Sequence, residues 1–207
     1  MDPATTNATT NSAGSTPGST PVPPPRTGYD RGRELVHRAR SRARYLAALA
    51  VQPRLAGNPL ALGPRVQLEL GPGVRFHRGP GVTIAGDFHG VFHADVDWGA
   101  DVFVNVGCYV SVHSGLTVGD RCRFGERVSV HDEDHVFEPL GADRGRYRTS
   151  PVVIGPDVWI GAGSTVLRGA RIGAGSVVAA GSVVRGEVPE GVLVAGAPAR
   201  VVRALRS

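Results

Sequence analysis

The chain of 207 residues contains no lysine, so its net charge of +5 comes from arginine alone. Guanidinium groups fork onto phosphates and carboxylates, which keeps phosphorylated ligands, nucleic acid and anionic membrane surfaces open without selecting among them. Cysteine is nearly absent too. Cys108 and Cys122 are too few for a disulfide framework and lack the spacing of a zinc knuckle, so a reducing compartment is the simplest expectation. Aromatic residues make up only 6% of the chain, which argues against a bundle of long helices. Long apolar runs are missing: "YLAALAV" is too short to span a bilayer. The start, "MDPATTNATTNSAGSTPGSTPVPPP", has neither a positive n-region nor an apolar h-region, so no secretory signal is visible and a soluble, cytoplasmic protein is expected. What is present is 29 glycines and 16 prolines, a composition suited to many turns.

Residues 1–29 are rich in Ser, Thr, Pro and Gly, with too little apolar mass to offset the entropy of ordering, and read as a disordered tail. From Asp30 the composition changes. Leu35, Ala39, Ala43, Leu46 and Ala50 recur at helical spacing with arginines on the other faces, predicting a basic amphipathic helix and linker over 30–55. Such a helix either covers the open end of the domain behind it or makes peripheral contact with a membrane through 31–51.

The remainder, 56–207, carries a repeat. Steps of six from Leu70 land on Phe76, Val82, Phe88, Ala94, Ala100, Val106, Val112, Val118, Phe124 and Val130 without meeting a polar residue. After an interruption over 136–153 the count resumes at Ile154, Ile160, Val166, Ile172, Val178 and Val184. A companion position four residues on is also small or apolar, from Val104 and Val110 to Ser176, Ser182 and Val188. Neither a strand nor a helix has a period of six, whereas stacked coils of a parallel β-helix do. Three hexads per triangular coil predict an 18-residue turn. In that register His77, Asp95, His113 and His131 form one outward column, and 136–153 is a loop extruded between coils, a usual place for function.

The stretch "PVVIGPDVWIGAGSTVLRGARIGAGSVVAAGSVV", followed by "GVLVAGAPARVVR", resembles the hexapeptide-repeat acyltransferases, the group that includes maltose and galactoside O-acetyltransferases. The likeness covers roughly 70–205. It implies an all-β fold, a left-handed parallel β-helix with an N-terminal helix and one extruded loop. It further implies a homotrimer with active sites between subunits, and acetyl-CoA as acyl donor. The D-x-D-H form of Asp132–His135 is similar to that of sugar O-acetyltransferases of polysaccharide and lipid modification.

The resemblance assigns roles residue by residue. His135, counted back from "PVVIG", falls on the family's general base, and imidazole as a class accepts protons near neutrality. Asp132, Glu133 or Asp134 is the group that orients it. Asn105, 30 residues earlier and at the same place in its repeat, matches an amide that contacts or positions the acceptor. Trp159 matches an aromatic flanking the donor. Ala162, Gly163, Ala180 and Gly181 match small residues that let pantetheine approach the backbone, and Arg200 and Arg203 match cations for the coenzyme phosphates. Arg185 stands where the family has a Thr-Lys pair, with Gly186 in the lysine place. No metal is expected. The expected reaction is direct acetyl transfer to a hydroxyl of a sugar or glycan-like small molecule. Two other readings stay open. One is a γ-class carbonic anhydrase-like zinc enzyme using His89/His93 and His131/His135. The other is a non-catalytic, Arg-rich β-helix scaffold, although no nucleic-acid motif is present and no nucleic-acid partner is expected.

Overall fold

A computed structural model describes residues 28–51, 57–138 and 141–205, with the backbone alone for 28–34, 51, 138 and 141–145. The disordered tail expected over 1–29 lies outside the described residues as far as residue 27, while Gly28 and Tyr29 already belong to the helix. The chain forms a parallel β-solenoid capped by one helix, Gly28–Val51, in keeping with the expected left-handed β-helix. It has three flat faces. Face A runs from Ala61–Leu62 to Val192–Gly196 and ends with the antiparallel strand Ala199–Ala204. Face B begins at Gln67–Leu70 and face C at Phe76–Arg78, and each holds six strands.

Coil length differs between the two halves. Thr83 pairs with Phe103 and Phe103 with Arg123, while His89 pairs with Tyr109 and Tyr109 with Ser129: these coils are 20 residues long. Past the hairpin, Trp159 pairs with Val177 and Thr165 with Val183, a strict 18. The six-residue count from Ile154 to Val184 is therefore an inward row, buried at every step. In the longer coils the same count slips by two positions per turn. Ala94 and Ala100 are only partly buried and Val106 is 42% exposed, because the count has drifted onto corners. The drift also dissolves the predicted outward column. His131 pairs with Ser111 on face B, His77 pairs with Asp97 on face C, and Asp95 binds Arg75. The extra residues lengthen face B, where Phe88, Gly90 and Phe92 all point inward.

The longer coils enclose more space and fill it with larger groups. Phe76 packs edge-on against Phe92 and Trp98, and Trp98 stacks with Phe124. Gly90 makes room for them, since a Cβ there would lie 2.8 Å from Phe88 and 2.9 Å from Phe92. The 18-residue coils need only Val, Ile, Ala and buried serines. Ser164 and Ser176 donate to the carbonyls of Ala179 and Pro189 and accept from the next coil's backbone, so their hydroxyls are satisfied in the interior.

The helix covers the first coil, as the end-cap expectation holds, but with a different face. Tyr45 enters the core, the Ser41 hydroxyl accepts from the Leu62 amide, and the Arg44 guanidinium donates to the Leu62 carbonyl. Arg78, buried by the same helix, donates to the Tyr45 hydroxyl and to the Asn58 carbonyl. Burial lowers its pKa from the ordinary arginine value. The predicted apolar stripe points away from the solenoid: Leu35 is 67% and Leu46 55% exposed, and Ala39, Ala43 and Ala50 are exposed beside them.

Truncating a fully buried ring of the wider coils tests this packing. Phe92→Ala is expected to cost about 3–5 kcal/mol in denaturant unfolding, because neighbouring rings held by the coil backbone cannot collapse into the void.

Candidate active site

At the corner between faces B and C the chain leaves the solenoid as an antiparallel hairpin, Glu133–Glu138 paired with Gly141–Thr149, and returns at Val152 on face C. Asp132 roots it. This buried carboxylate accepts from the amides of His113, Ser114 and Gly115 and from the Ser114 hydroxyl, so it fixes the corner of the preceding coil. Its own carbonyl accepts from the Ser150 amide, which closes the base of the hairpin. Arg168, one coil later, donates to Asp134 at 2.7 Å and ties the hairpin in the other direction.

His135 lies exposed on the outgoing strand of the hairpin, paired with Tyr147. Their ring centroids are 4.7 Å apart; Tyr147 is 4.7 Å from His113, and His113 is 4.7 Å from His93. Four rings thus run along this corner out to His135. The three neighbouring carboxylates are committed elsewhere: Asp132 to the corner, Glu133 to His131 at 3.4 Å, and Asp134 to Arg168. Tyr147 escaped the sequence reading, which set His93 in a zinc pair and His113 in an outward column and did not join the two. The 20-residue step from His93 to His113 is invisible to a count in sixes, and the pairing of Tyr147 depends on the hairpin register.

A second feature occupies face A, a groove of 640 Å³. Asn105, Trp159, Ala162 and Ala180 line it together with Phe103 and Arg123. The indole of Trp159 is 56% exposed although its strand neighbour Ile160 is fully buried. Asn105 donates to Glu126 at 2.8 Å, a partner that sequence reasoning missed. Gly163 and Gly181 follow Ala162 and Ala180 on the ridge between faces A and B, where the Gly181 amide donates to the Ala162 carbonyl. Their φ values, +67° and +70°, are left-handed and suit glycine.

Asn105 is not at the same repeat position as His135. It sits at the corner of faces A and B, whereas His135 rises from the corner of faces B and C, so face B separates them within one chain. Arg185 is exposed at the corner of faces B and C, away from the groove. Arg200 and Arg203 are exposed on the final strand, which lies antiparallel to Val192–Gly196 along the edge of face A.

Both cysteines are buried and their thiols are weak acids. Burial pushes Cys108 up to about 11 and Cys122 upward as well, so neither is poised as a thiolate. Two histidines of the zinc reading have other neighbours: His89 contacts Glu69 and Tyr109, and the His93 ring lies tilted against His113. Among the described residues, no three of His, Cys, Asp and Glu are grouped to hold a metal ion.

Residues 151–186 match the family described as bacterial transferase hexapeptide, six repeats. The chain is 39% identical over 114 residues to nodulation protein L of Rhizobium meliloti, covering 55% of this chain and 62% of that protein. It is 32% identical over 109 residues to the galactoside O-acetyltransferase of Lactococcus lactis, covering 53% of each. The chain thus spans little more than half the length of these relatives. Among solved structures, the hexapeptide-repeat-containing acetyltransferase VCA0836 of Vibrio cholerae superposes with a TM-score of 0.53 at 26% identity, covering 84% of this chain and 93% of that one. The chain is therefore similar, in sequence and in fold, to hexapeptide-repeat acetyltransferases.

The hairpin root makes a direct test of the site's geometry. Asp132→Ala leaves three amides and a hydroxyl at the corner without their acceptor. It is expected to lower the melting temperature and to raise protease cleavage within 133–149 in limited proteolysis.

Proposed function

We propose that the protein is a coenzyme A-dependent O-acetyltransferase that moves an acetyl group from acetyl-CoA to a hydroxyl of a sugar or glycan-like acceptor, with His135 as general base. The observation that carries this reading is the face-A groove, where an exposed tryptophan, the Asn105 amide and a ridge of small residues meet. An open groove with an apolar wall and a run of small residues, Gly161, Ala162, Ala179 and Ala180, suits a slender thioester arm. Trp159 flanks it, Ala162, Gly163, Ala180 and Gly181 border it, and Arg200 and Arg203 are the cations at hand for the phosphates. The likeness to a galactoside O-acetyltransferase supports a sugar hydroxyl as acceptor, and a crystal structure of VCA0836 complexed with acetyl coenzyme A supports the donor.

In this reading His135 takes the proton of the acceptor hydroxyl as its oxygen attacks the thioester carbonyl. The tetrahedral oxyanion is met by backbone or side-chain donors, the carbon–sulfur bond breaks, and the imidazolium returns the proton to the departing thiolate. Acetyl ester and free coenzyme A result, with no acyl-enzyme in between. His135 and Asn105 sit on opposite sides of face B, so the reading requires a homotrimer in which the hairpin of one subunit meets the groove of the next. Arg185, at the hairpin's corner, reaches a groove only in that way.

His135→Ala is expected to reduce acetyl-CoA-dependent transfer to a panel of sugars by about 10²–10⁴-fold with the trimer intact by light scattering. His131→Ala is expected to be milder. Equal losses in the two variants would overturn the assignment of the base, and absence of transfer by the wild-type protein to any sugar would overturn the activity.

The exposed stripe of the helix favours a peripheral membrane role. Leu35, Val36 and Leu46 are uncovered, with Arg40 and Arg42 exposed along the same helix, a pattern suited to an anionic bilayer surface. No helix among the described residues is long and apolar enough to cross a membrane. Co-sedimentation with phosphatidylserine vesicles, lost in Leu35→Glu/Leu46→Glu and absent with phosphatidylcholine, is the expected result.

A further inference from the structure

A cluster on face B takes no part in the proposed transfer. The strand Ser129–His131 alternates inward and outward, so Val130 is buried while Ser129 and His131 point out side by side. The Ser129 hydroxyl lies 2.6 Å from His131 Nε2. On the far side of the ring, Nδ1 lies 3.4 Å from Glu133 Oε1. The Glu133 side chain is only 14% exposed, and its other oxygen is buried with no hydrogen-bond partner among the described residues. A carboxylate so enclosed directs its charge at the imidazole. With Nδ1–H donating to Glu133, the Nε2 lone pair faces Ser129 and accepts its O–H proton. The Tyr109 ring lies against the His131 ring, tilted by 34° with centroids 5.4 Å apart.

Nucleophile, base and orienting carboxylate stand here in the sequence that activates a serine hydroxyl. We propose that Ser129, His131 and Glu133 form a second reactive site, at which Ser129 is acylated by activated esters or thioesters and the acyl-serine is then hydrolysed. Ser129 Oγ attacks the carbonyl carbon as its proton passes to His131 Nε2. The bond to the alcohol or thiol leaving group breaks, and the leaving group carries off the proton from the imidazolium. Water, deprotonated by the same nitrogen, releases the acid and regenerates the serine. His131 is 30% exposed at its side chain, open enough for an ester to reach the pair. The two buried thiols, both held protonated, do not compete for such a reagent. This activity stands independently of the sugar acetyltransferase reading, since neither coenzyme A nor a sugar enters it.

The test treats the full chain with an alkyl fluorophosphonate and maps the adduct by peptide mass spectrometry, alongside hydrolysis of p-nitrophenyl acetate. Labelling at Ser129 is expected, with ester hydrolysis lost in Ser129→Ala. His131→Gln and Glu133→Gln, each verified as folded by circular dichroism, are expected to slow labelling by about tenfold or more. No adduct at Ser129 in the folded wild-type protein, or a labelling rate that neither variant changes, overturns the proposal.

Discussion

Every feature of this molecule is referred to one constraint, the backbone hydrogen bonding of each coil to the next. The amides of face A donate to carbonyls one turn along, as Thr83 does to Val102 and Phe103 to Cys122, and the corners donate one turn back, from Asp101 to Pro80 and from Gly181 to Ala162. These bonds leave no freedom of register. A coil that gains two residues must place them on one face, and the interior must grow to match. Face B takes the extra length, and the aromatic side chains of the first half fill the wider interior that results.

The hairpin stands where the two coil lengths meet. The turns just before it have 20 residues and those just after it 18, within a solenoid that narrows from 22 at its first turn to 16 at its last, and the Asp132 carboxylate bridges from the last long coil back to the corner before it. Proposed chemistry collects at the same place because it is where the chain departs from the solenoid without loosening. The Asp132 root, the Ser150–Asp132 backbone bond and the Arg168–Asp134 pair set the direction of the hairpin, as the proposed delivery of a base to a neighbouring subunit requires. The groove, by contrast, is built where the solenoid is most regular. Small residues recurring at one ridge over successive coils leave a continuous strip along which a chain-like ligand can lie.

The second half of the solenoid was readable from sequence because its period is strict, and Ile154, Ile160, Val166, Ile172, Val178 and Val184 are all interior. The first half deceived a count in sixes. Ala94, Ala100 and Val106 are apolar, but they are corner residues, and only the pairing of His89 with Tyr109 and Ser129 reveals the longer turn. The helix misled for a related reason: its apolar stripe is real in the pattern, yet a serine, an arginine and a tyrosine from another face make the contacts with the first coil, because hydrogen bonds to the Leu62 backbone satisfy an otherwise open strand. The residues of the proposed site entered one at a time. His135, Asn105 and Trp159 came from motif resemblance, while their separation by face B, the ring row through Tyr147 and the Ser129–His131–Glu133 line depend on register and become visible only in three dimensions.

In the proposed arrangement an acetyl-transfer site is completed between subunits, with the hairpin histidine of one chain serving the groove of another. Mixing two inactive variants tests it most directly: His135→Ala and Asn105→Ala are co-expressed with distinct affinity tags, and the doubly purified mixed trimers are assayed with acetyl-CoA and the best sugar acceptor. If each site draws its histidine and its asparagine from different chains, one of the three sites in every mixed trimer carries both native residues, and activity returns to about a third of the wild-type level. Mixed trimers as inactive as either parent would contradict the account.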